Sequence, residues 1–291
     1  MLILAGPTSA GKTAAALAVA EAYDAVIVSA DAMQVYRGMD IGTGKASAAE
    51  QARARHFGID VRAPDQRFDA ADFVTLADAV RSEHRRVIIA GGTSLYIHAF
   101  VRGLVATPTV DPVLRERLGG LEDPHARLRQ VDPALAGRLH PNDVVRIVRG
   151  LEVFEATGQR LSALQAAHRE APDRVKAVGL WLDRGDLEQR IDARVLAMIA
   201  SGYVDEVRWL LDVGHARTLK PMQSLGYRHL CAHVADGLEL GEAIRRTQRD
   251  TRQFARKQRN WMRKLGYERR LEGHVQAAMV AGGMAFGGAF A

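Results

Sequence analysis

The first residues whose types and spacing could do chemistry are those between Gly6 and Thr13. They read Gly6-Pro7-Thr8-Ser9-Ala10-Gly11-Lys12-Thr13, which is a glycine, four residues and then Gly-Lys-Thr. Gly6 and Gly11 allow the tight turn that points successive backbone N–H groups at an oxyanion. Lys12 adds a positive charge for a terminal phosphate, and the Thr13 hydroxyl can hold a magnesium ion. The segment therefore predicts a site for a di- or triphosphate and leaves open which one.

The residues on either side supply the elements that this motif needs. Residues 1–5 are an apolar run typical of a buried strand, and residues 14–23 are rich in strong helix formers. A strand, a glycine loop and a helix in this order form the first unit of a parallel sheet with helices on its faces. We therefore predict an α/β fold with a P-loop parallel sheet as its core.

Asp31 is the next candidate for chemistry, because it follows the apolar run 25–30. In an open α/β sheet, ligands bind at the carboxyl ends of the strands. A carboxylate there could hold magnesium, act as a general base or cap a helix, and Asp31 by itself does not decide among these roles. The run 86–90 ends in Gly91-Gly92-Thr93, where a phosphate-loop ATPase carries a metal-binding aspartate. This counts against ordinary ATP hydrolysis and leaves Asp31 free to act on a substrate proton.

Two arginines on a later helix could bind a diphosphate. The pattern predicts a helix over 187–199, on which Arg190 and Arg194 lie four residues apart and share a face. Their forked donors match phosphate oxygens. The alternative is a set of ion pairs with Glu188 and Asp192 on the same helix.

Residues 111–171 do not follow the alternating pattern of the core. They follow a proline-bearing linker and contain short helical stretches, so we predict that they form a helical, RNA-binding insertion domain. The core that this domain interrupts would consist of residues 1–110 and 172–270. Its Arg115, Arg146 and Arg149 are either solvated surface or clamps for a polyanion. The core then resumes with an apolar run over 175–182, which we predict to be the last strand.

Length and composition exclude several classes of protein. With 291 residues, of which 47% are hydrophobic, the chain can bury a large core. Its single cysteine, Cys231, excludes an intramolecular disulfide and a cysteine-cluster zinc site. We find no secretion signal and no uninterrupted apolar run of about 18 residues. We therefore expect a cytoplasmic protein that acts as a monomer and does not enter a membrane.

The positive charge of the chain is concentrated in one segment. Residues 243–270 contain eleven Lys or Arg against two acids, a local charge of +9 within a total of +6, so the rest carries −3. Six arginines recur there at intervals of four and three, along one line of a predicted helix: Arg245, Arg249, Arg252, Arg256, Arg259 and Arg263. The apolar residues expected to anchor this helix are Ile244, Thr251, Phe254, Trp261 and Leu265. An arginine line with few acids favours a nucleic-acid backbone, and an exposed base in an RNA loop is the better target for such an enzyme.

The last segment of the chain has a different composition. Residues 275–291 carry no charge and four glycines. Glycine lowers helix stability, and chain ends fray readily. We therefore predict a flexible tail over 271–291.

Several of these motifs together resemble the tRNA dimethylallyltransferase family. They occur in the family's order up to about residue 270: Gly6 to Thr13, Asp31 to Thr43, Gly91-Gly92-Thr93, Asn142-Asp143 with the helix that ends at Gly158, Leu225-Gly226-Tyr227 and Thr251-Arg252-Gln253. This chain departs from the family at two positions. Ala32 stands where members usually have serine, and Gly44 where they usually have alanine, so any RNA contact made by that serine is lost here.

The resemblance implies transfer of a dimethylallyl group from its diphosphate to the exocyclic amine of an adenosine in tRNA, with Mg2+. The catalytic residues it implies are Asp31, Thr8, Lys12, Arg190 and Arg194, and the diphosphate would bind to Gly6, Pro7, Thr8, Ser9, Ala10, Gly11, Lys12 and Thr13. The implied tRNA contacts are Asp31, Ala32, Met33, Gln34, Thr93, Arg115, Arg146, Arg149, Gln223, Gly226, Tyr227, Arg228, Arg249, Arg252 and Arg256. Thr13 would be the protein ligand of the metal.

Two other functions fit parts of the sequence. A prenyltransferase of free adenine nucleotides would share the phosphate loop and Asp31 but has no need of the arginine line. A phosphoryl-transfer kinase would share the loop, and the absence of the strand-end aspartate counts against it.

Overall fold

The computed structural model describes residues 1–109 and 111–287, and its core is a six-stranded parallel sheet. The strands are β1 (Leu2–Ala5), β2 (Val26–Ala30), β3 (His56–Phe57), β4 (Val87–Gly91), β5 (Val178–Leu182) and β6 (Glu268–Arg270), in the order β3-β2-β4-β1-β5-β6. Every pairing between neighbours is parallel. The predicted α/β class with a parallel sheet is confirmed.

Helices outside the insertion cover both faces of the sheet. The helices of the described residues are α1 (Lys12–Tyr23), α2 (Ala48–Arg53), α3 (Ala70–Glu83), α4 (Ser94–Arg102), α5 (Pro112–Gly119), α6 (Pro124–Val131), α7 (Pro133–Ala136), α8 (Val144–Thr157), α9 (Leu161–Glu170), α10 (Leu187–Ala200), α11 (Tyr203–Asp212), α12 (Tyr227–Asp236), α13 (Leu240–Met262) and α14 (His274–Phe286), with a 3-10 turn at Arg263–Leu265. The helices of the insertion, α5 to α9, belong to a compact unit of their own.

The central strand β1 shows how the two apolar layers arise. Successive side chains of a strand point to opposite faces, and all four residues of β1 are buried. Ile3 packs in the layer formed with α3, α4, α11 and α12, whereas Leu2 and Leu4 pack in the layer formed with α1 and α14. A strand buried on both faces explains the continuous apolar run at the start of the chain.

Residues 102–174 form a second compact unit with its own core. Its apolar cluster contains Leu118 and Leu128 together with Ile147 and Leu151 from α8. The unit is wider than the predicted 111–171 at both ends, since residues 102–109 and 172–174 also belong to it.

One expectation about the end of the chain is wrong. The flexible tail is instead the helix α14 over 274–286, and only residues 288–291 of the predicted tail lie outside the described part. Ala278 and Ala281 are buried, and Gly282 lies against Tyr23 and Val19 of α1. The small uncharged residues that suggested a tail are thus the ones that let two helices approach closely.

The strands differ from the prediction in one further place. β5 is not the last strand, because β6 pairs beside it through Leu180 and Glu268. β3 is also short and consists of His56–Phe57. Both β3 and β6 lie at sheet edges, where a few paired residues suffice and the apolar signal is weak.

Within the described residues, no helix is both long and apolar enough to cross a membrane.

Candidate active site

Three loops meet at the carboxyl edge of the sheet. The phosphate loop follows β1, Asp31 follows β2, and Gly92 follows β4, which lies between those two strands. The parallel register therefore brings the three segments to one cleft, as the sequence predicted for Asp31 and the loop.

The phosphate loop has the backbone conformation that its glycines permit. Gly11 has φ 89° and Ser9 has φ 63°, both in the left-handed region. A Cβ at Gly6 would clash with the carbonyl oxygen of Leu182 at the end of β5. The Nζ of Lys12 donates to the Pro7 carbonyl at 2.7 Å, so the ammonium folds over the loop.

The pKa of Lys12 depends on the other charged groups in this cleft. Burial lowers its pKa from 10.5 to about 8, while the Asp31 carboxylate raises it and the Arg194 guanidinium lowers it. The Asp31 carboxylate therefore acts on both Lys12 and Arg194, and Arg190 and Glu50 also act on Arg194, so three cations face two carboxylates. A cleft with this excess of positive charge suits a polyanionic ligand.

Arg190 and Arg194 both extend from α10 towards this cleft. The Nε of Arg190 donates to the Ser9 carbonyl at 3.2 Å, and the Nη2 of Arg194 lies 3.5 Å from the Gly44 carbonyl oxygen. Desolvation by the surrounding protein lowers the pKa of Arg194, and Asp31 opposes this effect. A Cβ at Gly44 would clash with the Arg194 guanidinium, so the glycine found here makes room for it.

The acids of α10 do not pair with these two arginines. Asp192 instead forms an ion pair with Arg252, and Glu188 pairs with Arg256 at 2.7 Å, both from α13. The alternative considered for Arg190 and Arg194 is therefore not what the structure shows. Two arginines from the predicted RNA-binding line are instead paired with α10.

The two carboxylate oxygens of Asp31 differ in their hydrogen bonds. Its Oδ1 accepts the backbone N–H groups of Met33 at 2.9 Å and Gln34 at 3.4 Å. Its Oδ2 accepts no hydrogen bond from the described residues. Nearby, the Thr93 Oγ1 accepts the Ala32 N–H at 3.0 Å, and the Gln34 amide donates to the Gly44 carbonyl at 3.3 Å. The carboxylate is thus oriented by its own loop and keeps one oxygen for a ligand.

The loop that carries Gly44 is held by Glu206 of α11. Glu206 accepts the N–H groups of Asp40 at 2.8 Å, Ile41 at 2.6 Å and Gly42 at 3.1 Å, and the Tyr227 hydroxyl at 2.7 Å. Tyr227 is buried, with 1% of its surface exposed. It therefore serves the core, and the predicted contact with RNA does not fit its position.

Other predicted RNA contacts also have partners within the protein. Gly226, with φ 81°, packs against the Tyr203 hydroxyl, and the Gln223 amide donates to the Arg217 carbonyl at 2.6 Å. Arg228 and Arg249 both bind the buried carboxylate of Asp250. Burial raises the pKa of that carboxyl, but hydrogen bonds from His229, Arg249 and Arg228 outweigh it and hold the pKa below its ordinary value.

The helical unit uses two of its three predicted arginines to neutralise a buried acid. Glu152 is 2% exposed and accepts two bonds from Arg115, at 2.6 and 2.9 Å, and one from Arg149 at 3.1 Å. Removing either partner would leave a buried charge partly uncompensated. Arg146 is different, because its one ion pair among the described residues is with Asp143, and 73% of its side chain is exposed.

The structure adds polar residues that the sequence did not single out. Gln258 of α13 bonds to the phosphate loop and to Gly92. Asp183 at the end of β5 is fully buried and accepts bonds from Arg259 and Arg269, while His274 of α14 donates to its carbonyl at 2.6 Å. Gln258 thus bonds to the loops of the cleft, whereas Asp183 connects the end of β5 with α13, β6 and α14.

Gln258 falls in the regular spacing of the buried residues of α13, which is the sequence feature that could have indicated it. The buried residues of this helix are Ala243, Thr247, Asp250, Ala255, Gln258 and Met262. The face predicted to anchor the helix was wrong at Phe254, which is 39% exposed, whereas Leu265 packs against the core as predicted. A buried helix stripe containing polar residues is hard to recognise, because helical periodicity is read from apolar side chains.

Comparison with known proteins identifies the family. The family model described as IPP transferase matches residues 34–265. A tRNA dimethylallyltransferase of Geobacter metallireducens is 49% identical over 277 residues, covering 91% of this chain and 89% of that protein. A tRNA dimethylallyltransferase of Symbiobacterium thermophilum is 46% identical over 283 residues, covering 93% and 88%.

Solved structures agree with this comparison. The tRNA isopentenylpyrophosphate transferase of Bacillus halodurans superposes with a TM-score of 0.70 at 30% identity and covers 97% of this chain and 94% of that one. A eukaryotic dimethylallyltransferase described as acting on tRNA shares the fold, with a TM-score of 0.78 at 24% identity over 90% of this chain and 69% of its own. With a phosphate loop, an oriented Asp31 and this similarity along nearly its whole length, the chain belongs to the IPP transferase family.

Proposed function

We propose that this protein transfers a dimethylallyl group from dimethylallyl diphosphate to the exocyclic amine of the adenosine immediately 3′ of the anticodon. The substrates would be tRNAs that read codons beginning with U, and the product isopentenyladenosine. The observation that carries the proposal is the pairing of a phosphate loop with an aspartate whose Oδ2 is available for a substrate.

The reaction requires a base on one side and an anion site on the other. The amine nitrogen attacks C1 of the dimethylallyl group, the C1–oxygen bond breaks, and the diphosphate leaves. The Oδ2 of Asp31 takes the amine proton as the carbon–nitrogen bond forms. Positioned general bases contribute roughly a hundred- to ten-thousand-fold in rate.

The negative charge of the leaving diphosphate falls on groups that already surround the loop. Backbone N–H groups of residues 6–13 and the start of α1 favour an anion. Lys12 supplies a charge whose lowered pKa reflects burial, and a bound diphosphate would raise it again. Arg190 and Arg194 would exchange their carbonyl contacts for phosphate oxygens, which bind guanidinium more strongly.

A magnesium ion fits the donor set at this position. The described residues contain no cluster of three or more His, Cys, Asp or Glu that could hold a metal without a ligand. Magnesium commonly binds through one or two protein oxygens, phosphate oxygens and water. The exposed Thr13 hydroxyl would be its protein ligand, with the diphosphate supplying the rest. When bound, the ion would neutralise part of the leaving-group charge.

The RNA would be held through its phosphates and through the exposed base. Thr93 and Gln34 stand beside Asp31, where an adenine edge would be recognised. Arg146 has the most exposed side chain of the three arginines predicted in the helical unit and is our first candidate there for a backbone contact. Contacts by the remaining predicted arginines stay a prediction, since internal acids already bind them.

The test is mass spectrometry of tRNA incubated with the protein and dimethylallyl diphosphate. We expect one C5H8 unit on an adenosine next to the anticodon, released from digested tRNA as the modified nucleoside. Free AMP, ADP and ATP, offered in parallel, should remain unmodified. Modification of the free nucleotides without modification of tRNA would replace this proposal with the nucleotide prenyltransferase.

A further inference from the structure

One carboxamide joins the two halves of the cleft. Gln258 is 7% exposed and comes from α13, far along the chain from both of its partners. Its Oε1 accepts the Thr8 N–H at 3.0 Å, and its Nε2 donates to the Gly92 carbonyl at 2.9 Å. Thr8 belongs to the phosphate loop and Gly92 to the end of β4. A single side chain thus bridges loops that follow two different strands.

The Gly92 end of this bridge leads directly to Asp31. The Thr93 N–H donates to the Ala30 carbonyl at 3.0 Å, and the Thr93 Oγ1 accepts the Ala32 N–H at 3.0 Å. These two residues flank Asp31 in the chain. Backbone hydrogen bonds therefore connect Gln258, through Gly92 and Thr93, to the segment that orients the proposed base.

The chemistry of the amide explains why glutamine suits this position. An amide offers an acceptor and donors on one rigid plane, whereas a carboxylate only accepts and an ammonium only donates. A buried carboxamide is costly unless both of its ends are bonded. A Cβ at Gly92 would clash with the Gln258 Nε2, so the glycine allows the close approach.

We propose that Gln258 is a positioning residue that sets the separation between the phosphate loop and the acceptor side of the cleft. The inference rests on the proposed transfer reaction, in which a donor carbon held by the loop must meet a nitrogen held beside Asp31. A misplacement of about 1 Å between reacting groups can lower the rate about a hundredfold. Gln258 touches neither reacting atom and acts through the two backbone groups it binds.

Two substitutions separate this role from general support of the fold. Gln258→Met keeps the length and removes both hydrogen bonds. Gln258→Glu keeps the acceptor for Thr8, but its carboxylate cannot donate to Gly92 and repels that carbonyl. Protonation of the glutamate restores a donor. The control is Asn260→Asp, which adds the same charge at an exposed position two residues along α13.

We expect single-turnover transfer to an anticodon stem-loop to fall about a hundredfold at pH 8 in both Gln258 variants. Dissociation constants for dimethylallyl diphosphate and for the stem-loop should change less than about threefold. The rate of Gln258→Glu relative to wild type should recover at least tenfold between pH 8 and pH 6, and that of Gln258→Met should not. A loss confined to donor affinity, or equal and pH-independent losses in both variants, would overturn the positioning role.

A measurement that needs no turnover keeps this inference distinct from the proposed function. Hydrogen exchange in Gln258→Met should be faster at residues 8–10 and 92–94 and unchanged in α3. Unchanged exchange at both loops would overturn the inference whatever reaction the wild-type protein catalyses. A wild-type protein that transfers nothing to tRNA would instead defeat the proposed function alone.

Discussion

At the scale of single residues, the two oxygens of Asp31 have different tasks. Oδ1 receives two backbone N–H groups of its own loop, and Oδ2 is the oxygen that we propose takes the substrate proton. The sequence alone left three roles open for this carboxylate. The structure shows the capping contacts and also leaves room for the catalytic role.

We expect Asp31→Asn to lower the single-turnover rate at least a hundredfold while substrate affinities change little. The asparagine keeps Oδ1 as an acceptor for Met33 and Gln34 but cannot take a proton. The measurement is transfer to an anticodon stem-loop at low and high magnesium. Recovery at high magnesium would make Asp31 a metal ligand, and full activity would leave it only the role of a cap.

Lys12 predicts a pH dependence of anion binding. Its pKa of about 8 in the ligand-free protein means that the ammonium is lost as the pH rises through 8. We expect the ratio of pyrophosphate affinities, wild type over Lys12→Met, to fall about tenfold per pH unit above 8 and to be flat below 7. Calorimetric titration without metal measures it. A ratio that stays constant to pH 10 would contradict the lowered pKa.

The lowered pKa of Lys12 also makes the free energy of unfolding depend on pH. The unfolded chain keeps the Lys12 proton up to about 10.5, whereas the folded chain loses it above about 8. Between these values the unfolded state binds more protons, so this group makes the free energy of unfolding rise with pH. Lys12→Met should remove that contribution.

At the scale of elements, ion pairs connect α13 with α10. These pairs occupy arginines of α13 that were predicted to bind RNA. Arg252 and Arg256 bind Asp192 and Glu188. The side chains of Arg256 and Glu188 are 62% and 53% exposed, and solvent screening leaves such exposed pairs with little effect on stability. Arg256 can therefore leave its partner for a phosphate at small cost.

The prediction for α13 compares substitutions of Arg256 and Glu188, the two partners of one ion pair. If Arg256 contacts RNA, Arg256→Ala should reduce the log–log salt slope of stem-loop binding by about 0.7 to 0.9 and weaken affinity. Glu188→Gln should leave the slope unchanged and the affinity equal or higher, because a competing acid is gone. Filter binding across a salt series measures both. If neither variant changes binding, Arg256 belongs to the protein surface alone.

The helix α14 makes a prediction about stability. At Gly282 a Cβ would lie 2.9 Å from both Tyr23 and Val19 of α1. Gly282→Val should therefore lower the free energy of unfolding by about 1–3 kcal/mol, as overpacking does. Denaturant unfolding measures it, with Met284→Ala as the control, since 73% of Met284 is exposed. Equal stability of the two variants would mean that α14 does not pack on α1.

At the scale of the whole molecule, the composition of the cleft separates this protein from ATPases. The end of β4 carries Gly91-Gly92-Thr93 where those enzymes place a metal-binding aspartate. ATP should therefore be neither hydrolysed nor required for transfer to tRNA. Phosphate release in proportion to protein concentration, or transfer that depends on ATP, would contradict this. Dimethylallyl diphosphate in the same preparation serves as the positive control.

The tertiary contacts that complete the site could not be predicted from local patterns. The bond from Gln258 to Thr8 spans 250 residues, and the bond from His274 to Asp183 spans 91. Helical periodicity places a side chain on a face but does not say what that face meets. α14 was missed for a similar reason. Glycine lowers helix propensity and alanine, although a strong helix former, buries little apolar surface, so the helix gains its stability from close packing on α1.

The sequence by itself determined the phosphate loop, the position of Asp31 at a strand end and the parallel sheet that brings them together. These depend on residues close in the chain, on glycine conformations and on the alternation of buried strands. Only the tertiary structure decided which charges are available. Arg252 and Arg256 are partly neutralised by acids 60 and 68 residues away, and Arg115 and Arg149 by buried Glu152. Whether a charged side chain is free to bind a ligand depends on its neighbours in space, and the sequence alone does not show which residues those are.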